Sequence, residues 1–438
     1  MHSLEDLNNG KLNGIQRLDL SCGLREFPQA IFELADSLEV LNLSGNDLSQ
    51  LPDDLYRLKH LRILFVSDNA FSELPACVGR CEQLQVIGFK ANRIAHVPAE
   101  ALPPRLRSLI LTDNQIESLP EALGDCEHLQ KLMMAGNRLR RLPDSLARCK
   151  RLELLRIAVN QLSELPAWLL QMPALAWLAA SGNPLSPTLQ APDVRQIPWQ
   201  ALTLQQKLGE GASGVVQRAL WQAPEQIPLA VAVKVYKGHV TSDGSPLDEM
   251  LACLVAGTHE HLIRVEGRIS DHPQGRAGLV LDLIDPAFVN LAGPPSLESC
   301  TRDTYASDLR LDLPIVLRLA TGIASATAHL HSRGMTHGDL YAHNILWSPE
   351  GDCLLGDFGA AAFHPGEEQA ALLERIETRA FGILLGELLE RCEAVDQQHA
   401  LWSLQQQCVQ PEVLKRPTMA EVSHQLAASG KNVVNPRW

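Results

Sequence analysis

A pattern of the form LxxLxLxxNxLxxLPxxL returns along the first half of this chain, with copies starting at Ile15, Leu38, Leu61, Leu84, Leu106, Leu129, Leu152 and Leu175. The interval is 23 residues, with a single 22 between Leu84 and Leu106. No copy of that length can bury its own apolar face, so the copies must stack and cover one another. Alternate leucines, such as Leu41 and Leu43 or Leu109 and Leu111, are predicted to point inward from a short strand, leaving the residues between them on the concave side. Asn46, Asn69, Asn92, Asn114, Asn137, Asn160 and Asn183 recur at the turn that leaves the strand. Their amides can satisfy backbone groups freed where the chain bends. Leu-Pro pairs such as Leu51-Pro52, Leu119-Pro120 and Leu142-Pro143 close the next corner, because proline fixes its own φ and disfavours helix at the residue before it. Cys22-Gly23 takes the asparagine's place in the first copy, and residues 1–14 read as a polar cap.

This array is identified as a leucine-rich-repeat solenoid of the short bacterial type, about eight repeats over residues 15–187. Its concave positions carry many apolar side chains: Val40, Ile63, Phe65, Val86, Ile110, Met133, Leu154 and Trp177, among Asn42, Lys131 and Arg156. A merely solvated face would be polar, so this one is expected to dock a protein substrate or partner, or the chain's own second domain. Cys81, Cys126 and Cys149 each stand three residues before the first leucine of the next copy, the slot that Leu58 and Met172 fill elsewhere. They are core fillers, so neither disulfides nor a metal site is implied.

The formal net charge of -13 disfavours nucleic acid and anionic membranes as partners. The start, MHSLEDLNNG, shows no basic n-region or apolar core, and the most apolar stretch, Trp168 to Pro184, is broken by Gln171, Pro173 and Gly182. A cytoplasmic, reducing setting is therefore expected for the ten cysteines.

Pro184, Pro187, Pro192 and Pro198 mark a stiff connection, predicted as a linker over 188–202. Beyond it, Leu208-Gly209-Glu210-Gly211-Ala212-Ser213-Gly214-Val215-Val216 reads as a strand, a glycine turn and a strand, where backbone can pass over phosphates. Val231-Ala232-Val233-Lys234 places a lysine on a strand 20 residues after Gly214. Glu249, on a helix predicted over Leu247–Ala256, is its expected partner, with Asp248 the second choice. Further on, Asp339 precedes Asn344 by five residues, and Asp357-Phe358-Gly359 follows eighteen residues after Asp339. That spacing lets one carboxylate meet a substrate hydroxyl while an amide oxygen and a second carboxylate hold a divalent metal against nucleotide phosphates.

In this order the motifs resemble those of eukaryotic-like protein kinases. The segment Leu313 to Arg333, the run Ala380-Phe381-Gly382 and Arg416-Pro417-Thr418-Met419 extend the likeness over residues 203–428, with 429–438 as a tail. The implied chain is a multidomain α/β plus α+β protein, a solenoid followed by a bilobal kinase-like domain, transferring the γ-phosphate of ATP to a protein hydroxyl, serine or threonine before tyrosine. The resemblance implies Asp339 and Lys234 as catalytic residues, Asn344 and Asp357 as ligands of Mg²⁺ or Mn²⁺, and Gly209, Gly211 and Gly214 over the phosphates. Lys234, held by Glu249, would grip the nucleotide; the backbone of Asp282 and Ile284 would meet adenine, with Leu208, Val216, Ala232 and Leu346 around the ring.

Four departures bear on function. Gly338 stands where many kinases carry the arginine that receives a phosphorylated activation loop, and the segment from Asp357 to Glu377 contains no Ser, Thr or Tyr. Activation-loop phosphorylation is thus not expected to switch this chain. That segment is short and lacks Ala-Pro-Glu. Glu377 replaces the usual aspartate at the start of a C-lobe helix. Tyr341 and His343 occupy loop positions that usually carry basic residues. His337-Gly338-Asp339 also resembles aminoglycoside and choline kinases, so a small-molecule phosphotransferase and a catalytically dead scaffold are the alternatives.

Overall fold

The computed structural model describes residues 2–223, 227–238, 240–393 and 398–434. It divides into two compact units, Met1–Leu175 with Asn183–Leu185, and Ala176–Gly182 with Ser186–Trp438.

The first unit opens with a short helix, α1 (Leu4–Asn8), whose first turn is capped by the Ser3 hydroxyl. Each repeat then contributes one three-residue strand: β1 (Arg17–Asp19), β2 (Val40–Asn42), β3 (Ile63–Phe65), β4 (Val86–Gly88), β5 (Ser108–Ile110), β6 (Lys131–Met133) and β7 (Leu154–Arg156). The last repeat supplies β8 (Trp177–Ala179), which is counted with the second unit. Strands β1 to β7 are parallel and in chain order. Their register aligns Leu18, Leu41, Leu64, Ile87, Leu109, Leu132 and Leu155 in one fully buried column.

The asparagine ladder forms as the turn chemistry requires. Asn137 is representative: its Oδ1 accepts the Ile116 amide at 3.0 Å, and its Nδ2 donates to the carbonyls of Leu111 and Met134 at 2.9 and 3.0 Å. Asn46 reaches back to serve the first copy, accepting the amides of Cys22 and Leu24. After the prolines, single 3₁₀ turns close each repeat, for example Glu121–Asp125 behind Pro120 and Asp144–Arg148 behind Pro143. Cys81, Cys126 and Cys149 lie buried just past such turns, and all ten cysteines are free thiols. Burial pushes the Cys126 thiol up to about 12, the behaviour of packing residues rather than nucleophiles.

In the second unit, β9 (Gln196–Pro198), β10 (Leu202–Glu210), β11 (Gly214–Trp221), β12 (Leu229–Tyr236), β13 (Val265–Ser270) and β14 (Gly278–Asp282) build a sheet in the order β10-β11-β12-β14-β13-β9. The predicted linker over 188–202 is thereby corrected: residues 196–198 form an edge strand parallel to β13, and β10 begins at Leu202. Gly267 makes room for it, since a Cβ there would stand 2.5 Å from the Arg195 carbonyl. α2 (Pro246–Ala256) follows the glycine turn and β12.

The remaining part is helical: α3 (Leu313–Ser332), α4 (Glu367–Leu389), α5 (His399–Cys408) and α6 (Met419–Val434). Short strands β15 (Val289–Asn290), β17 (Ile345–Trp347) and β18 (Cys353–Leu355) form one small sheet, and β16 (Met335–Thr336) pairs with β19 (Ala362–Phe363). Among the described residues α3 is the one helix long and apolar enough to cross a membrane. Its Val316, Leu319, Ala320, Ile323, Ala324 and Leu330 are buried inside this unit. α4 starts at Glu367, so only residues 357–366 of the segment up to Glu377 lie outside the helix. EEQAALLERIE is rich in strong helix formers, with two acids at the dipole's positive end.

Candidate active site

Strand alternation sorts the residues of β12. Val231 and Val233 are fully buried in the sheet core, so Ala232 and Lys234 face the other way. Register then sets Lys234 opposite Val216 and Ala232 opposite Leu281. With Leu208, Gly209, Asp282, Ile284, Leu346 and Asp357 they line a cleft of about 740 Å³. A smaller cavity of about 140 Å³ shares Lys234, Glu249 and Asp357 and is walled by Gly211 and Gly214, with Ser213, Thr241 and Asp243.

The Ser245 hydroxyl accepts the Leu247 amide and Pro246 opens the helix, which places Glu249 in the first turn of α2. Lys234 Nζ donates to Glu249 Oε1, so Glu249 rather than Asp248 is the lysine's partner. Burial opposes both charges. For Lys234 the carboxylate outweighs it and holds the ammonium above the usual lysine range. Burial pushes the Glu249 carboxyl up while Lys234 pulls it down and Asp357 adds to the rise. We take the pair as charged, because a neutral Glu249 would leave a buried ammonium without its counter-ion.

The loop after β16 is laced to the segment before Asp357. His337 is fully buried, its Nε2 bonded to the Gly356 carbonyl at 2.8 Å and its ring 5.3 Å from that of Phe358. Asn344 Nδ2 donates to Asp339 Oδ2 and to the Asp339 carbonyl, each at 2.9 Å, while its own carbonyl accepts the Gly356 amide at 2.9 Å. The β17–β18 pairing of Ile345 with Leu355 brings those ends side by side. Asp357 adopts φ +55°, left-handed backbone that aspartate enters more readily than most residues with a side chain, and its Oδ1 accepts the Gly359 amide at 3.1 Å. Asp339 and Asn344 are not among the residues lining either cavity.

Two supports hold this loop from outside. Glu377, at 3% side-chain exposure, accepts the amides of Gly338 (2.7 Å) and His337 (3.1 Å) and meets His331 Nε2 at 2.8 Å. The longer carboxylate therefore does reach the loop amides. Burial would raise its pKa, but the hydrogen bond and charge of His331, the charge of His337 and the Gly338 amide hold it below the usual carboxylate range. Asp303, whose side chain is fully buried, accepts both the amide (3.0 Å) and Nδ1 (2.7 Å) of His343. Burial disfavours the imidazolium there; the Asp303 hydrogen bond and charge outweigh it and raise the His343 pKa. Sequence reading did not find Asp303, which lies in irregular chain between β15 and α3, where no periodicity marks it.

Asp282 needs one qualification of role: its amide is donated to the Arg264 carbonyl at 3.0 Å, which leaves only its carbonyl for a purine edge. For a triphosphate with a divalent ion the residues fit. Cβ atoms built on Gly209 and Gly211 would meet nothing within 4 Å, so these two glycines face open space, whereas one on Gly214 would stand 2.7 Å from the Val235 carbonyl; the oxygens of Asn344 and Asp357 are hard donors of the kind Mg²⁺ takes. Among the described residues no cluster of three or more His, Cys, Asp or Glu suits a metal.

Residues 202–378, which hold β10 to β14, the Lys–Glu pair and the laced loop, match the model of the protein tyrosine and serine/threonine kinase family. Residues 127–185 and 37–58 match two leucine-rich-repeat models, so the chain carries leucine-rich repeats followed by a protein kinase domain. Over 187 residues it is 30% identical to tyrosine-protein kinase Srms of Mus musculus, a match covering 40% of this chain and 34% of that protein. The chain thus spans about a third of the length of that curated relative. Among solved structures, a leucine-rich-repeat protein of Leptospira interrogans is similar at 30% identity, over 41% of this chain and 46% of that one, with a TM-score of 0.38.

Proposed function

We infer that this protein transfers the γ-phosphoryl group of ATP to a serine or threonine hydroxyl of a protein, with tyrosine the secondary acceptor. The observation that carries this reading is the pairing of Lys234 with Glu249 on one cleft wall, together with the hydrogen bonds by which Asn344 joins Asp339 to the residue before Asp357. Asp339 orients the acceptor hydroxyl and takes its proton as the oxygen–phosphorus bond forms and the bond to the diphosphate leaving group breaks. Lys234 holds the α- and β-phosphates, and backbone at Gly209, Gly211 and Gly214 covers them. Ile284 and the Asp282 carbonyl serve adenine, with Leu208, Val216, Ala232 and Leu346 around it. Asn344 and Asp357 are the residues that would hold Mg²⁺ or Mn²⁺; the ion, when bound, neutralises charge developing between the phosphates.

The repeats supply the protein-binding surface of this reading, and its setting is a reducing cytoplasm. Ile63, Phe65, Ile110 and Met133, half-buried on the concave strands, are the positions proposed to meet the partner. Phosphate transfer from γ-labelled ATP with Mg²⁺, compared between the wild type and Asp339→Ala, tests the chemistry. Transfer should vanish in the variant while a nucleotide-induced thermal shift persists, since Asp339 does not line the nucleotide cleft. Binding without turnover in the wild type would establish a scaffold instead. Turnover of amines or sugars but of no protein would establish a small-molecule phosphotransferase.

A further inference from the structure

The segment Ala176–Gly182, part of the second unit, lies against the loop that carries Asp339. Trp177 is 1% exposed. Its ring stacks on that of Tyr341 at a centroid distance of 4.1 Å and an interplanar angle of 8°. Its indole N–H donates to the Leu340 carbonyl at 3.0 Å, and the Arg302 guanidinium sits 5.5 Å from the ring centroid. One residue further, the Leu178 carbonyl comes so close to Gly338 that a Cβ there would stand 2.7 Å from it, and 2.4 Å from the Ala360 carbonyl. Gly338, at φ +74°, is thus the residue that lets the segment approach.

Residues 338, 340 and 341, which bracket Asp339, are all touched by two consecutive residues, Trp177 and Leu178. The loop lacks an arginine at 338, and residues 357–377 offer no hydroxyl to phosphorylate. Trp177 supplies a fixed hold at the same place.

We propose that Trp177 is a positioning residue for Asp339: stacked on Tyr341 and bonded to Leu340, it sets the catalytic loop permanently, in place of a phosphorylation-dependent clamp. Its consequence for turnover rests on the kinase reading above; its consequence for loop order does not.

The test uses the full chain with Trp177→Ala and Trp177→Phe, the second keeping an aromatic face but losing the indole N–H. Hydrogen–deuterium exchange over residues 335–344 should quicken in Trp177→Ala and move less in Trp177→Phe. The turnover number should fall about five- to tenfold in Trp177→Ala, the size of a lost aromatic contact and hydrogen bond, with KM for ATP within about twofold. Exchange confined to wild-type rates would overturn the proposal, as would unchanged or faster turnover, the second identifying Trp177 as a cover rather than a support. If Trp177→Ala does not fold, Trp177→Phe and Tyr341→Leu carry the same comparison. A wild type that is inert yet shows the exchange difference sinks the kinase reading alone.

Discussion

Glu377 offers the sharpest quantitative test. Replacing it by alanine strands the amides of His337 and Gly338, both buried, and removes the acceptor facing His331. An orphaned buried donor costs about 1–3 kcal/mol, and more where the lost acceptor was charged, so the loss should reach about 3–5 kcal/mol. For a unit of this size each kcal/mol corresponds to about 2–4 °C, which places the fall in Tm at about 6–20 °C, readable by scanning calorimetry. Glu377→Gln keeps one oxygen but turns an NH₂ toward an N–H, and should lie between the two. The pH dependence has a definite sign. Because the folded carboxyl lies below its unfolded value of about 4.3, the stabilisation is fully present above that value and fades as pH falls through the folded one. The gap between wild type and Glu377→Ala should therefore narrow on acidification from pH 5 toward pH 3. A Tm change under about 1 °C, or a gap that widens in acid, would refute the role assigned to this carboxylate.

Restoring the usual arginine as Gly338→Arg should harm the protein: a left-handed φ costs about 1–2 kcal/mol before the overlaps with the Ala360 and Leu178 carbonyls, and even Gly338→Ala should lower Tm by several degrees in a melting experiment. In the repeats, Asn137→Ala leaves the Ile116 amide and two carbonyls unserved in a buried turn. Urea unfolding should report a loss of about 2–4 kcal/mol, and an exposed asparagine with no ladder bonds would have given almost none.

Much of this was readable in order along the chain because it is local. A 23-residue period determines where each strand, asparagine and proline falls, since a repeat contacts only its neighbours and must solve the same packing problem each time. Alternation over Val231-Ala232-Val233-Lys234 likewise decides which side chains face the cleft, and the helix signals Ser245 and Pro246 place Glu249. What could not be read depends on residues far apart in sequence. The strand Gln196–Pro198 passed for a linker because three residues among prolines carry no period; only pairing with β13 makes it a strand. Trp177 counted among the docking residues of the concave face, for a partner or for the chain's own second domain, and only folding decided that its ring meets Tyr341, 164 positions later. Asp303 and His343 meet across 40 residues of which the first stretch is irregular. The sequence by itself determined the repeat, the order of the chemical groups and the cleft-facing side of β12, because short-range geometry suffices for those. Which groups hold the catalytic loop in place was decided by tertiary packing, because a buried carboxylate or indole acquires its role only from the partner that desolvates it.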